Sequence, residues 1–170
     1  HEVSIGAYWE SIHNGIYQAL EEYENVKVEL QVFTYNQYDI YSCRQTFEKI
    51  AGFEMDALII GPTFPEETVN LCKKMDDRNI PYIFVDSTIE STNPLAFFSA
   101  DHYVCGYMMA KLITSLIPAE TNIAIFQAVR TGDRCSHTTT LRTKGVTDYL
   151  EKNECPHILL SIPFSVTEPE

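Results

Sequence analysis

The chain has 170 residues, 45% of them hydrophobic, and a formal net charge of -12. That length allows one ordinary domain or two small ones with a buried core, and no run reaches the ~18 consecutive apolar residues of a membrane span. A surface this acidic repels phosphate backbones, which argues against direct nucleic-acid contact by these residues though not by a linked basic module.

Strand and helix signals alternate along the chain. Residues 3–8 form a short apolar run that predicts a strand. Residues 11–23 carry helical spacing through Ile12, Ile16, Ala19 and Leu20. Residues 26–34 alternate Val26, Val28, Leu30 and Val32 with polar partners, the pattern of a strand with one face more exposed. Residues 41–50 are helical. Residues 56–61 are apolar and stop at Gly61-Pro62. Residues 65–79 predict a helix, with Pro65 in its first turn and Glu66 and Glu67 at the positive end of its dipole. The apolar run 80–85 predicts a strand buried on both faces and ends in a lone acid, Asp86. A short strand is expected over 96–99, then a helix over 102–117 stopped by Pro118. A strand over 122–129, a polar loop over 130–136, a helix over 138–153 and a strand over 157–162 complete the series.

Repeated βα units of this length predict an α/β fold with mostly parallel sheets and helices on both faces. The polar stretch 87–94 marks a change of composition. Residues 1–100 are expected to form one parallel α/β part. Residues 101–170 would hold a crossing helix and the start of a second part, too few strands to close a core. The native protein is therefore expected to continue past Glu170. In open α/β sheets ligands bind beyond the carboxyl ends of strands, where Asp86 and Asp101 are both predicted to lie.

The N-terminus lacks the basic-then-apolar order of a signal peptide. Five cysteines at wide spacings, with no C-x-x-C, argue against zinc or a disulfide framework. Cys43, Cys72 and Cys105 fall in predicted helices and read as small buried hydrophobes. Free thiols suggest a reducing compartment, so a cytoplasmic location is expected. The dinucleotide, P-loop, serine-hydrolase and H-E-x-x-H motifs are all absent, and no cofactor or metal is implied. A glycosidase using Asp86 and Asp101 is conceivable but has little support.

Four stretches resemble the lactose-repressor and periplasmic sugar-binding protein superfamily, in order along the chain. They are Asp56-Ala-Leu-Ile-Ile-Gly-Pro62, Ile80-Pro-Tyr-Ile-Phe-Val-Asp86, Asp101-His-Tyr-Val-Cys-Gly106 and Thr138-Thr-Thr-Leu-Arg-Thr-Lys-Gly145. In the third, His102 stands where the family pattern has Asn. The resemblance implies a two-lobed protein that closes over a small ligand, usually a sugar. It implies an effector-sensing domain of a homodimeric transcriptional regulator, reaching DNA only through a helix-turn-helix module not present in this stretch. A solute-binding protein or periplasmic sensor domain is the alternative.

Arg142 is the leading ligand-binding candidate, at the position of the family's ligand arginine. Its planar fork of donors could grip two hydroxyls or a carboxylate, with a solvated surface arginine as the alternative. The Asp86 carboxylate could accept sugar hydroxyls or serve a local loop bond. Asp101 could bind ligand or cap its helix. His102 could replace an amide that donates and accepts. Tyr8 and Trp9, placed just after the first strand, could stack on a pyranose or simply pack. Ser136 and Thr138 could supply hydroxyls. Asn36, Tyr38 and Thr63 are weaker candidates at other strand ends.

Overall fold

The structure, a computed structural model, describes residues 7–23, 27–130 and 137–164. The chain divides into two compact units, residues 1–54 and 55–170.

The first unit contains helices α1 (Ala7–Glu21) and α2 (Ile40–Ala51). The expected first strand lies largely outside the described residues, and α1 already begins at Ala7. Tyr8 and Trp9 therefore sit in a helical turn rather than in a loop after a strand. The Asp39 carboxylate caps α2, accepting from the Tyr41 amide at 2.8 Å. Cys43, Thr46, Phe47 and Ile50 are buried at the three-to-four-residue spacing of one helical face.

The strand expected over 26–34 does not form among the described residues. A strand exists only through a ladder with a neighbour, and residues 27–34 carry none among the described residues. Alternation also misjudged the covered face. Val28 and Val32 are exposed. Phe33 packs edge-on against Phe53, and Tyr35 against Phe47, each at 5.4 Å between centroids.

The second unit is built from parallel βα repeats. Strands β1 (Leu58–Ile60), β2 (Tyr82–Val85) and β3 (Ala96–Phe98) form one sheet in the order β1-β2-β3. Leu58 pairs with Tyr82, and Phe84 with Phe97. Helix α3 (Pro65–Asp77) connects β1 to β2, with proline in its first turn. The core beside this sheet includes Leu71, Cys72, Met75, Tyr82 and Phe84, all nearly inaccessible to solvent.

Helix α4 (His102–Leu116), strand β4 (Ile123–Arg130), helix α5 (His137–Lys152) and strand β5 (His157–Phe164) follow. β4 and β5 pair in parallel along their whole length. Helices α3 and α5 end alike. Asn79 and Glu154 have φ of 55° and 54°, and the Ile80 and Cys155 amides reach back to the Met75 and Leu150 carbonyls at 2.9 Å. This left-handed stop satisfies carbonyls that the last turn would otherwise orphan. Pro81 and Pro156 follow and prevent the helix from resuming. Each chain then turns straight into a parallel strand.

α4 and α5 cross at closest approach through Gly106 and Gly145. A Cβ on Gly106 would sit 2.8 Å from the Arg142 carbonyl carbon, and one on Gly145 2.8 Å from the Tyr107 amide nitrogen. Only glycine fits at either point. The two glycines of the family-like motifs thus have a packing reason. The three cysteine expectations also resolve: Cys43 and Cys72 are buried, whereas Cys105 is exposed on a face of α4 that carries the exposed Val104, Met108 and Leu112.

Candidate functional site

The site grows from the carboxyl end of β2. Asp86 follows the strand with φ of 72°. The Ser87 amide donates to the Val85 carbonyl at 2.9 Å, closing a three-residue γ-turn around Asp86. The positive-φ form of this turn is rare and strained, and Asp is among the residues that tolerate it best. The Asp86 amide donates to the Phe98 carbonyl at 2.9 Å, so the turn is anchored to β3. Ser87 Oγ donates to Asp86 Oδ2 at 3.2 Å.

The Asp86 carbonyl points to a small polar cluster. Ser99 Oγ donates to it at 2.8 Å. His102 Nε2 lies 3.2 Å from the same carbonyl and 2.9 Å from Ser99 Oγ. The other ring nitrogen, Nδ1, lies 2.9 Å from Arg142 Nη2. His102 is only 7% exposed, whereas Arg142 is exposed. The strand ends of β2 and β3 are thereby linked through the first turn of α4 to the first half of α5. The glycine crossing sets this geometry, since Gly106 lies one turn after His102 and Gly145 three residues after Arg142.

The sequence candidates distribute unequally around this cluster. Asp86, His102 and Arg142 converge. Asp101 is the N-cap of α4, one carboxylate oxygen accepting from the Val104 amide at 2.9 Å. A carboxylate has acceptor capacity beyond that one bond, so the cap alone does not use up the group. Thr138 lies in the first turn of α5 and is partly exposed. Ser136 lies outside the described residues. Tyr8 and Trp9 belong to the first unit and pack edge-on at 5.4 Å. Asn36 Oδ1 is engaged locally by the Tyr38 amide at 2.9 Å. Thr63 follows β1 in a partly exposed position.

Ser99 was not among the candidates, yet it bonds both the Asp86 carbonyl and His102. The available signal was a hydroxyl residue closing the apolar run of β3.

A second charged group lies further along α5. Asp148 accepts from Tyr103 Oη at 3.0 Å and pairs with Lys144. Its carboxyl is held below the usual range first by the Lys144 ammonium and then by the Tyr103 hydroxyl. The same contacts push Lys144 and Tyr103 upward, Asp148 being the first cause for each. This solvent-facing trio ties α4 to α5 near the glycine crossing. Among the described residues no group of His, Cys, Asp and Glu could hold a metal. None of the described helices is long and apolar enough to cross a membrane.

Chemically, the Asp86 turn offers acceptors and Arg142 offers donors. That pairing suits a polyhydroxylated ligand, whose hydroxyls donate to the first and accept from the second.

A family model described as periplasmic binding protein domain matches residues 1–163. Among solved structures, the chain is similar to a protein described as a LacI transcriptional regulator from Bacteroides fragilis. Identity is 26% and the TM-score 0.83, over 95% of this chain and 56% of that one. It is also similar to a glucose-galactose binding protein from Geobacillus stearothermophilus, at 20% identity and TM-score 0.76, over 95% and 55% of the two chains. The fructose-binding periplasmic domain of a hybrid two-component system aligns at 19% identity and TM-score 0.74, over 94% and 51%. The last two likenesses speak to fold alone. The chain spans about half the length of these structures. No curated protein matches it.

Proposed function

This chain belongs to the periplasmic-binding-protein domain family, and on that premise we propose that it is the sugar-sensing part of a lactose-repressor-type transcriptional regulator. Residues 1–100 form most of one lobe, and residues 101–170 carry a crossing helix and begin the second. On this reading the exposed Phe126, Ile158, Leu160 and Ile162 of β4 and β5 belong to the face that the rest of the second lobe would cover. The regulator is a cytoplasmic homodimer that reads two DNA half-sites through a separate helix-turn-helix module.

The observation that carries this reading is the convergence of the Asp86 turn, His102 and Arg142. Asp86 accepts ligand hydroxyls from the first lobe, and Arg142 donates from the second. Thr138 and Ser136 add hydroxyls beside Arg142. Asp101 contributes the carboxylate capacity that its cap leaves over. Tyr8 and Trp9 are proposed as sugar-stacking aromatics. Ligand shifts the lobes toward closure only by its differential affinity for the closed form. Contacts from both lobes supply that difference, and the closed form alters DNA binding.

Calorimetry on the full-length protein tests this, after a thermal-shift screen against sugars identifies a ligand. Arg142→Ala should weaken binding by about 1.5–3 kcal/mol, the value of a hydrogen bond to a charged group. Equal affinities in wild type and variant would remove Arg142 from the site.

A second reading is a solute-binding protein or periplasmic sensor domain. The fold is common to both kinds of protein: the regulator, the glucose-galactose binding protein and the fructose-binding domain all align with this chain. The native N-terminus separates the two, as a basic helix-turn-helix or as a signal peptide.

A further inference from the structure

Both ring nitrogens of His102 are engaged and the residue is only 7% exposed, which leaves little of it to meet a ligand. We propose that His102 is a positioning residue, acting on ligand only through the Arg142 guanidinium that it aims. This rests on the reading of Arg142 as a ligand-binding group.

A guanidinium carries donors and no acceptor. Arg142 Nη2 stands 2.9 Å from Nδ1, so Nδ1 must present a lone pair. An imidazolium has none, and it would add a second cation beside Arg142. The ring is therefore neutral with its proton on Nε2. That proton has acceptors in place: Ser99 Oγ at 2.9 Å and the Asp86 carbonyl at 3.2 Å. Ser99 can accept from Nε2 because its own proton has two carbonyl acceptors within reach, Asp86 at 2.8 Å and Ala100 at 3.1 Å. The opposite tautomer would set Nδ1–H against a guanidinium N–H, donor against donor. The hydrogen bonds at one end of the ring thus decide what its other end offers.

The backbone fixes the two ends of this relay. Gly106 and Gly145 bring α4 and α5 into backbone contact, which sets the height of Arg142 over His102. The positive φ of Asp86 sets the direction of the carbonyl that takes the imidazole proton. A guanidinium so held loses less side-chain freedom when it meets a ligand, which raises affinity without a new ligand contact. Among the described residues the Arg142 side chain has no other hydrogen-bond partner.

The first test needs no ligand. In full-length protein labelled with 15N-histidine, with His102 assigned by the signals lost in His102→Asn, its Nδ1 should resonate as an unprotonated nitrogen and its Nε2 as a protonated one. The Nδ1 signal should move in Arg142→Met. A protonated Nδ1, or an Nδ1 signal indifferent to Arg142→Met, overturns the proposal. The second test titrates wild type and variants with D-glucose, D-galactose, D-fructose and D-allose. For a sugar that binds, His102→Ala should weaken affinity about 10- to 100-fold, the loss of one charge-assisted hydrogen bond. His102→Asn, whose amide oxygen can accept from Arg142, should restore most of it. The double variant His102→Ala with Arg142→Met should bind no more weakly than Arg142→Met alone, as coupled residues do. Fully additive losses would mean that His102 acts by itself and would overturn the proposal. A wild type that responds to none of these sugars overturns the sugar reading instead, and the nitrogen shifts then decide the positioning role.

Discussion

Replacing Gly106 by alanine sets two opposed effects against each other, and their sizes decide the sign. Alanine is the better helix former by about 0.8–1 kcal/mol, so in open space the change would stabilise α4. At this crossing the new Cβ meets backbone. It would lie 2.8 Å from the Arg142 carbonyl carbon and overlap the carbonyl oxygen outright. Backbone within a helix cannot rotate aside as a side chain can, so α5 must move away by about 1 Å. A gap of that size forfeits a quarter to a half of the dispersion attraction between the facing atoms. Overpacking of this kind costs about 1–3 kcal/mol. Displacing Arg142 also strains its bond to His102, worth about 1.5 kcal/mol at the low end for a charge-assisted bond. After the propensity gain is subtracted, the net loss is about 2 kcal/mol, or a fall in Tm of roughly 4–8 °C for a chain of this size. Gly145→Ala should behave alike, since its Cβ would lie 2.8 Å from the Tyr107 nitrogen and 3.0 Å from the Tyr103 carbonyl carbon. Gly15→Ala is the control. It sits in α1 with nothing within 4 Å of the added carbon, and should gain the propensity term alone. Thermal unfolding followed by far-ultraviolet circular dichroism reads all three. If Gly106→Ala or Gly145→Ala melts at or above wild type while Gly15→Ala rises, the close crossing is not a feature of the protein.

Stability should fall on the alkaline side. Burial pushes the Cys72 thiol from its ordinary 9.0 to about 11 and the Tyr82 hydroxyl from 10.0 to about 12. Both pKa values are raised on folding, so their contribution is fully present below pH 9 and is lost as pH climbs through 11 and 12. Urea midpoints measured from pH 7 to 12 should drop across that window, and less steeply in Tyr82→Phe; a flat profile would refute buried, protonated groups here. At neutral pH Tyr82→Phe should cost about 1 kcal/mol, because the Asn93 amide loses the hydroxyl it reaches at 2.8 Å; urea unfolding measures it. Asp101→Ala should destabilise by about 1 kcal/mol through loss of the α4 cap, and Asp101→Asn, which can still cap, by a few tenths. Comparing both variants for ligand affinity then separates the cap from a binding role.

The order and type of most elements were legible in the sequence because they follow from local rules. Apolar runs such as Leu58–Ile60 and Tyr82–Val85 came out as parallel strands. Pro65 opened α3, and α4 began at the capping Asp101. Asp86 stood at a strand's carboxyl end because the run before it stopped there. Residues 27–34 misled for a physical reason: alternation encodes which side chains share a face, and neither a partner strand nor the side that is covered can be read from one segment. Burial of Cys105 failed on the same ground, since a helix has a core face only where something packs on it. His102 and Arg142 were both candidates, but their contact, and the part of Ser99 in it, could not be read from the sequence. The two are 40 residues apart, and only the contact of α4 and α5 at two glycines brings Arg142 to the ring. The tautomer of His102 is decided later still. It depends on Arg142 presenting only donors to Nδ1 and on Ser99 Oγ and the Asp86 carbonyl lying beside Nε2.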